Sequence, residues 1–193
     1  MKSRIKSSIK SSVENHNRVL NDSNLQFNIE RIVNSCINAF KNDKKMLFCG
    51  NGGSASDAQH IASELSGRFY KDRPPLYAEA LHVNTSYMTA VANDYGYEQT
   101  YARMVEASGR KGDVLVGIST SGDSPNLVKA MLKAKEIGML TVGFTGIKGG
   151  EMKDICDIMI QVPSDDTPRI QEVHILVGHI ICQLIEEEMF PNA

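Results

Sequence analysis

Short, wholly apolar runs alternate with amphipathic stretches along most of this chain. Residues 2–20 set Ile5, Ile9, Val13 and Leu20 on one helical stripe, and a second helical pattern from Leu25 to Phe40 carries Phe27, Ile29, Ile32, Val33, Ile37 and Phe40. From Met46 onward the runs have strand length, at 46–49, 79–83, 113–118, 140–145 and 157–162. Helical patterns fill the gaps at 54–67, 85–109 (interrupted at Tyr95-Gly96), 124–137 and 149–154, and a final helix covers 168–189. Strands that are apolar on both sides and separated by helices pair in parallel, with helices on each face. The pattern therefore predicts an α/β fold: a doubly wound parallel five-stranded sheet in flavodoxin-like order with an N-terminal helical extension. Repeats and linkers are absent, so residues 1–193 are expected to form one domain. Helices would occupy 1–42, and the α/β core with the C-terminal helix 43–193. The first two helices precede any strand, so they either cover the sheet later or pack on a second subunit.

Composition changes this picture little. The chain has 193 residues, 41% hydrophobic and 23% charged, with a formal net charge of -2, which gives no reason to expect nucleic acid or an anionic membrane as partner. Any anion site must be local. The four cysteines, Cys36, Cys49, Cys156 and Cys182, lie in apolar runs without a C-x-x-C pair and read as reduced core residues of a cytoplasmic protein. No apolar run reaches the ~18 residues of a membrane span, and the basic, serine-rich start MKSRIKSSIKSS lacks the apolar segment of a secretory signal.

Candidate chemistry concentrates at three places. After the first strand, Gly50, Asn51, Gly52 and Gly53 turn the chain, Ser54 is a candidate N-cap, and the following helix carries His60 and Glu64 four residues apart on one face. The turn matches G-x-G-x-x-A at Gly50, Gly52 and Ala55. The second strand, however, ends in His82-Val83-Asn84 without a ribose-binding acid, and no Walker lysine follows, so a nucleotide cofactor is not expected. After the third strand, Ser119, Thr120, Ser121 and Ser124 place four hydroxyls beside a new helix N-terminus. Simple capping needs only one of them, so the set points to a phosphate monoester. Thr145-Gly146 with Gly149-Gly150 is a weaker echo that reads as a turn. On the last helix Gln171 and His179 stand two turns apart, able to address one cavity. His60, Glu64 and His179 together make a nitrogen/oxygen set suited to a divalent ion such as zinc, with Gln171 a weaker donor. His16 reads as solvated, and His82 and His174 as structural or as supports behind the site residues. Asn93-Asp94-Tyr95-Gly96-Tyr97 interrupts its helix as either an Asx-type turn or a sugar-hydroxyl contact.

Four segments, CGNGGSASDAQHIASELSGRF, AVANDYGYEQTYARMVEA, GDVLVGISTSGDSPNLVKA and RIQEVHILVGHIICQLIE, resemble in order and spacing the sugar isomerase (SIS) family, and within it the phosphoheptose isomerases. The resemblance implies an aldose–ketose isomerisation of sedoheptulose 7-phosphate to D-glycero-D-manno-heptose 7-phosphate through an enediol. That reaction is the first step toward the activated heptose of lipopolysaccharide, capsule or S-layer glycans. It implies Glu64 as the base, His179 as the partner acid/base, and zinc held by His60, Glu64, Gln171 and His179. Substrate contacts would come from Asn51, Gly52, Gly53, Glu64, Asn93, Asp94, Ser119, Thr120, Ser121, Ser124 and Gln171, in a homotetramer. The glycine turn would then let a sugar approach the backbone, and the helices carrying His60/Glu64 and Gln171/His179 could come from different subunits. One departure is Pro168, where some members carry an acid before the arginine; Asp165 and Asp166 lie nearby and no catalytic role is assigned to this segment. The rival within the fold is a non-catalytic SIS protein that binds the replication initiator DnaA, which would lack the Glu64/His179 pair present here. A sugar-phosphate-sensing regulator would need a DNA-binding segment that the N-terminal helices do not provide.

Overall fold

The computed structural model describes residues 1–193. Two N-terminal helices, α1 (Lys2–Leu20) and α2 (Ser23–Lys41), lead into β1 (Met46–Gly50) and α3 (Gly53–Ser66). The chain continues through β2 (Ala78–Ala80), α4 (Thr85–Tyr95), a 3₁₀ turn (Tyr97–Gln99) and α5 (Thr100–Ser108). It then alternates β3 (Val114–Ile118), α6 (Pro125–Ile137), β4 (Leu140–Thr145), α7 (Met152–Ile155) and β5 (Ile158–Gln161), and closes with α8 (Thr167–Met189). All five strands are parallel in the order β2-β1-β3-β4-β5, the doubly wound arrangement expected from the alternation.

Each strand sends successive side chains to opposite faces, and both faces are covered. On one, Ala80, Phe48, Val116, Val142 and Ile158 are register partners across the whole sheet and pack with Ile32 of α2, Ile61 of α3 and Ile181 of α8. On the other, Leu47, Cys49 and Leu115 meet Tyr101 and Val105 of α5 and Leu127 and Met131 of α6. Burial drives the thiols of Cys36 and Cys182 upward in pKa, Cys182 to about 12, as befits inert core residues.

Three local expectations change. Strand β2 stops at Ala80 rather than reaching Val83, because Val83 N–H turns back to the Ala80 carbonyl and Asn84 Oδ1 then caps α4 at Tyr87 N–H. The cap of α3 is Gly52, not Ser54: the turn demands φ +56° with ψ -122°, open to glycine, while Ser54 is buried inside the first turn. Helix α7 is a single turn. Pro168 sits in the first turn of α8, where its missing N–H costs nothing.

The N-terminal helices behave differently from each other. Helix α2 buries Ile29, Ile32, Val33 and Cys36 against the sheet and α8. Helix α1 docks through polar contacts: Ser12 donates to Glu172, Asn15 to the Arg169 carbonyl, and Arg169 to the Ser8 carbonyl. Its apolar stripe faces away, leaving Ile5 54%, Ile9 60% and Val13 53% exposed, so only α2 covers the chain's own sheet.

Helices α3 and α8 lie side by side and run the same way, Gly53 facing Gln171 and Ile61 facing Gly178. A Cβ on Gly178 would overlap Ile61 Cδ1, so glycine at this position sets how closely the two helices approach.

At the sheet's far edge, Asp157 accepts from Thr141 N–H at 2.9 Å, Thr141 Oγ1 at 2.8 Å and Lys135 Nζ at 2.9 Å, fastening β5 to β4. Burial raises its carboxyl pKa, but these donors outweigh burial and hold it below the ordinary value. A depressed native pKa stabilises the fold above the usual carboxylate range of about 4, and that contribution disappears as pH falls through the native value. Calorimetry across the acid limb should therefore show a fall in unfolding temperature below about pH 4, shallower in Asp157→Asn. An identical acid limb in that variant would remove Asp157 from the balance.

Candidate functional site

The sheet order reverses between β1 and β3, the position where open α/β sheets bind ligands beyond their carboxyl ends. Gly50 and Ile118 are register partners, so the Asn51–Gly53 turn and the Ser119–Ser124 loop stand next to each other there. In the loop, Ser119 is buried, its N–H donating to the Phe144 carbonyl. Its Oγ accepts from Gly122 N–H at 3.1 Å and lies 3.2 Å from Ser124 Oγ and 3.4 Å from Ser121 Oγ. Three hydroxyls thus converge at the start of α6, where Pro125 has no N–H and Leu127 and Val128 N–H donate to the Ser124 carbonyl, so the Asn126 N–H and the helix dipole are what the helix offers an anion. A cleft of about 250 Å³ opens beside them, lined by Thr120, Ser121 and Asp123 together with Lys148, Asp165 and Thr167.

The β4 turn supports this loop. Gly146 N–H donates to the Thr120 carbonyl, Met152 N–H to the Gly122 carbonyl, and Glu151 N–H to Asp123 Oδ1. The weak glycine echo is a turn, as its sequence suggested, and its task is to buttress the loop.

The Asn51 side chain is held by the protein itself. Its carboxamide forms a reciprocal pair with Asn126, both bonds 2.9 Å, and its Oδ1 also accepts from the Tyr97 hydroxyl at 3.0 Å. The Tyr101 hydroxyl donates to the Gly50 carbonyl. These contacts fix the turn and bring the Tyr97 corner to the same sheet edge. Asn93 and Asp94, exposed just before that corner, bond each other at 2.9 Å.

The histidine–carboxylate set lies further along α3. His60 Nε2 is 3.1 Å from Glu64 Oε1, the His60 and His179 rings meet edge-on at 5.0 Å, and donor atoms of His60, Glu64 and His179 all fall within 4.8 Å of one another. Ligands around a tetrahedral zinc at about 2.0–2.1 Å stand roughly 3.3 Å apart, so this set needs only a small closure to hold such an ion. The site is partly open, His60 being 48% exposed and Glu64 23%. One turn earlier, Asp57 Oδ2 is buried without a partner; burial raises its carboxyl pKa while His60 pulls it down. Phe69 packs on the other side of His179 at 5.6 Å.

The trio is assembled from α3 and α8 of one chain. Gln171 does not stand with it: its carboxamide lies against Gly53, where a Cβ would fall 2.6 Å from Nε2. At 1.5 Å per residue, His60 is about 10 Å along α3 from Gly53. Each chain therefore carries two candidate centres, the Ser119–Ser124 loop with the Asn51–Gly53 turn at the start of α3, and the trio near its end. His174 belongs to neither. It is buried against the Thr145 carbonyl at 3.2 Å, and burial lowers its pKa to about 4, keeping the ring neutral. His16 is half-buried on the Ser12 carbonyl, not fully solvated.

Several residues here had no local signal. Asn126, Tyr97 and Tyr101 reach the turn from 75, 46 and 51 residues away. Lys148 and Asp165 reach the cleft only through the crossovers around β4 and β5.

Similarity to known proteins identifies the family. The SIS domain family profile matches residues 12–146. A phosphoheptose isomerase of Clostridium acetobutylicum is 53% identical over 190 residues, covering 98% of this chain and 97% of that protein. The structure of a phosphoheptose isomerase from Neisseria gonorrhoeae superposes with a TM-score of 0.91 at 38% identity, over 96% of this chain and 98% of that one. A phosphoheptose isomerase from Francisella tularensis gives 0.92 at 37% identity, over 96% and 97%. With near-complete coverage in both directions, the chain belongs to the phosphoheptose isomerase family of SIS-domain proteins and is an isomerase.

Proposed function

We propose that the chain interconverts sedoheptulose 7-phosphate and D-glycero-D-manno-heptose 7-phosphate, supplying activated heptose for lipopolysaccharide, capsule or S-layer glycans. The observation that carries the reading is a carboxylate and an imidazole, Glu64 and His179, brought together on adjacent helices within one chain. A pair of this kind is what proton transfer beside a carbonyl requires. The same pair separates this reading from the non-catalytic DnaA-binding one.

In the proposed cycle the Ser119–Ser124 loop takes the phosphate on its hydroxyls and the Asn126 N–H at the start of α6. The Asn51–Gly53 turn, with Gln171 against it, receives the sugar hydroxyls, and Asn93 and Asp94 border the same edge. Glu64 removes the C1 proton of the ketose, and the enediol is reprotonated at C2 to give the aldose. His179 is the partner acid/base on the other side. Glu64 meets His60 through Oε1 alone, and Oε2 makes no protein hydrogen bond, which leaves it for the carbon-bound proton.

His60, Glu64 and His179 would hold a divalent ion such as zinc. Three protein donors with an open fourth position is the set typical of catalytic zinc, and Gln171, about two turns of α8 from His179, would complete it only from a rearranged side chain or another copy. When bound, the ion supplies Lewis acidity that stabilises negative charge on an oxygen.

The separation of the anion loop from the trio bears on assembly. Either one extended sugar phosphate bridges both centres of a chain, or one copy's loop meets another copy's trio. We favour the second, in a homotetramer, because α1 leaves Ile5, Ile9 and Val13 exposed and the 1–42 helices would then bury them between subunits.

Glu64→Gln should lower kcat on sedoheptulose 7-phosphate by at least about 10³-fold while phosphate-containing ligands still bind; near-native kcat would remove the mechanism. Elemental analysis of protein purified without chelator should find zinc, and a chelator should strip both metal and activity. Full activity after complete stripping would leave His60 a structural residue. Co-expressing Glu64→Gln chains with Ser119→Ala/Ser121→Ala chains should restore activity that neither variant has alone. No restoration in confirmed mixed oligomers would place the whole site within one subunit.

A further inference from the structure

The connection from α3 to β2 contains a buried ion pair that touches neither the anion loop nor the sugar turn. The side chains of Arg73 and Glu186 are 0% and 2% exposed, with Arg73 Nε donating to Glu186 Oε1 at 2.9 Å. Arg73 directs its other donors mainly at the end of α3, with Nη1 also reaching the Pro74 carbonyl at 3.1 Å. Nη2 reaches the Glu64 carbonyl at 2.9 Å, and Nη1 reaches the carbonyls of Leu65 at 2.8 Å and Gly67 at 3.2 Å. Glu186 accepts the N–H groups of Phe69 at 3.1 Å, Tyr70 at 2.7 Å and Lys71 at 2.9 Å.

The placement relative to the trio is what matters. Arg73 grips the peptide of Glu64 itself. Glu186 stands two turns beyond His179 on α8, and seven residues is close to a whole number of turns, so both project from one face. Through Phe69 N–H it seats the ring that lies 5.6 Å from the His179 ring. One salt bridge thus fixes the turn carrying the carboxylate and the ring packed on the imidazole, while joining α3 to α8.

Stability alone is a weak reason for such a pair. Desolvating two charges costs about as much as their attraction returns, and apolar side chains of similar volume often serve as well. What apolar side chains cannot do is hold three helix-end carbonyls and three loop N–H groups in a fixed arrangement.

We propose that Arg73 and Glu186 are positioning residues for the His60–Glu64–His179 set, holding Glu64 and His179 at the spacing that binds a divalent cation and moves the proton. The inference rests on reading that set as the cation and acid/base centre.

Two variants test it. Arg73→Met with Glu186→Leu removes both charges at similar volume, and Arg73→Lys keeps the charge but loses the guanidinium fork. Zinc affinity of the metal-free protein is measured by competition with a chromophoric chelator, beside inorganic phosphate affinity, kcat and KM. Proton NMR of the metal-free protein reports the cross-peak between the Phe69 and His179 rings. The expected result is zinc affinity weakened about 10- to 100-fold, as for loss of outer partners of metal ligands. With it, kcat should fall, phosphate affinity and KM should stay within about threefold, and the ring cross-peak should weaken. Native zinc affinity and kcat in folded variants would overturn the proposal. A parallel loss of zinc and phosphate affinity would also overturn it, since it reports a general loosening of the fold. If the double variant does not fold, Arg73→Lys alone decides by the same readouts. If the wild-type protein binds no zinc and isomerises nothing, the reading of the trio fails. The cross-peak then still judges the clamp, its persistence in both variants counting against it and its loss in its favour.

Discussion

The approach of α8 to α3 is the constraint on which the candidate chemistry depends. Two helices running in the same direction come together where Gly178 has no side chain and Ile61 fills the space. Around that contact the His60 and His179 rings meet at 5.0 Å, and Cys182 and Ile181 continue the seam toward the core. A bulkier residue at 178 would push the helices apart and spread the trio, however well each helix formed. The meeting of Glu64 with His179, 115 positions later in the chain, is therefore a product of helix packing, held further along by the salt bridge between the α3–β2 connection and α8.

The second centre rests on a different physical basis. The candidate anion loop is made where β3 ends and α6 begins, and there the hydroxyls of Ser119, Ser121 and Ser124 converge at the positive end of the helix. Its rigidity comes from outside: the β4 turn braces its backbone, and Asn126 of α6 ties it to the sugar turn through the reciprocal bond with Asn51. The loop and the turn therefore behave as one unit at the sheet's switch point. The trio, about 10 Å along α3, is a separate unit.

Much of the fold was open to reading because its signals are local. Apolar runs buried on both faces, separated by helical periodicity, leave little choice but a parallel sheet, and the strand order followed. His60 and Glu64 could be paired from sequence because four residues along a helix is a fixed geometry. The hydroxyl cluster of Ser119, Ser121 and Ser124 was equally compact. Local reasoning failed where a backbone demand overrode a side-chain preference. Ser54 is a good capping residue, but the turn's positive φ handed the cap to Gly52 and buried the serine.

By itself the sequence determined the α/β layering, the glycine turn, the hydroxyl cluster of Ser119, Ser121 and Ser124 and the facing of His60 with Glu64, since each depends on residues within about two helical turns of one another. Only the tertiary structure decided that His179 joins them from the same chain while Gln171 turns to Gly53. It also decided that Asn126 and Tyr97 hold Asn51, and that Arg73 and Glu186 close behind Glu64. Those juxtapositions arise from helix packing across long loops, and no spacing along the chain encodes which turn of α8 meets which turn of α3. The glycine turn and its helix α3 thus meet a helix that begins 114 positions after Gly53, fitted against α3 through the absence of one side chain.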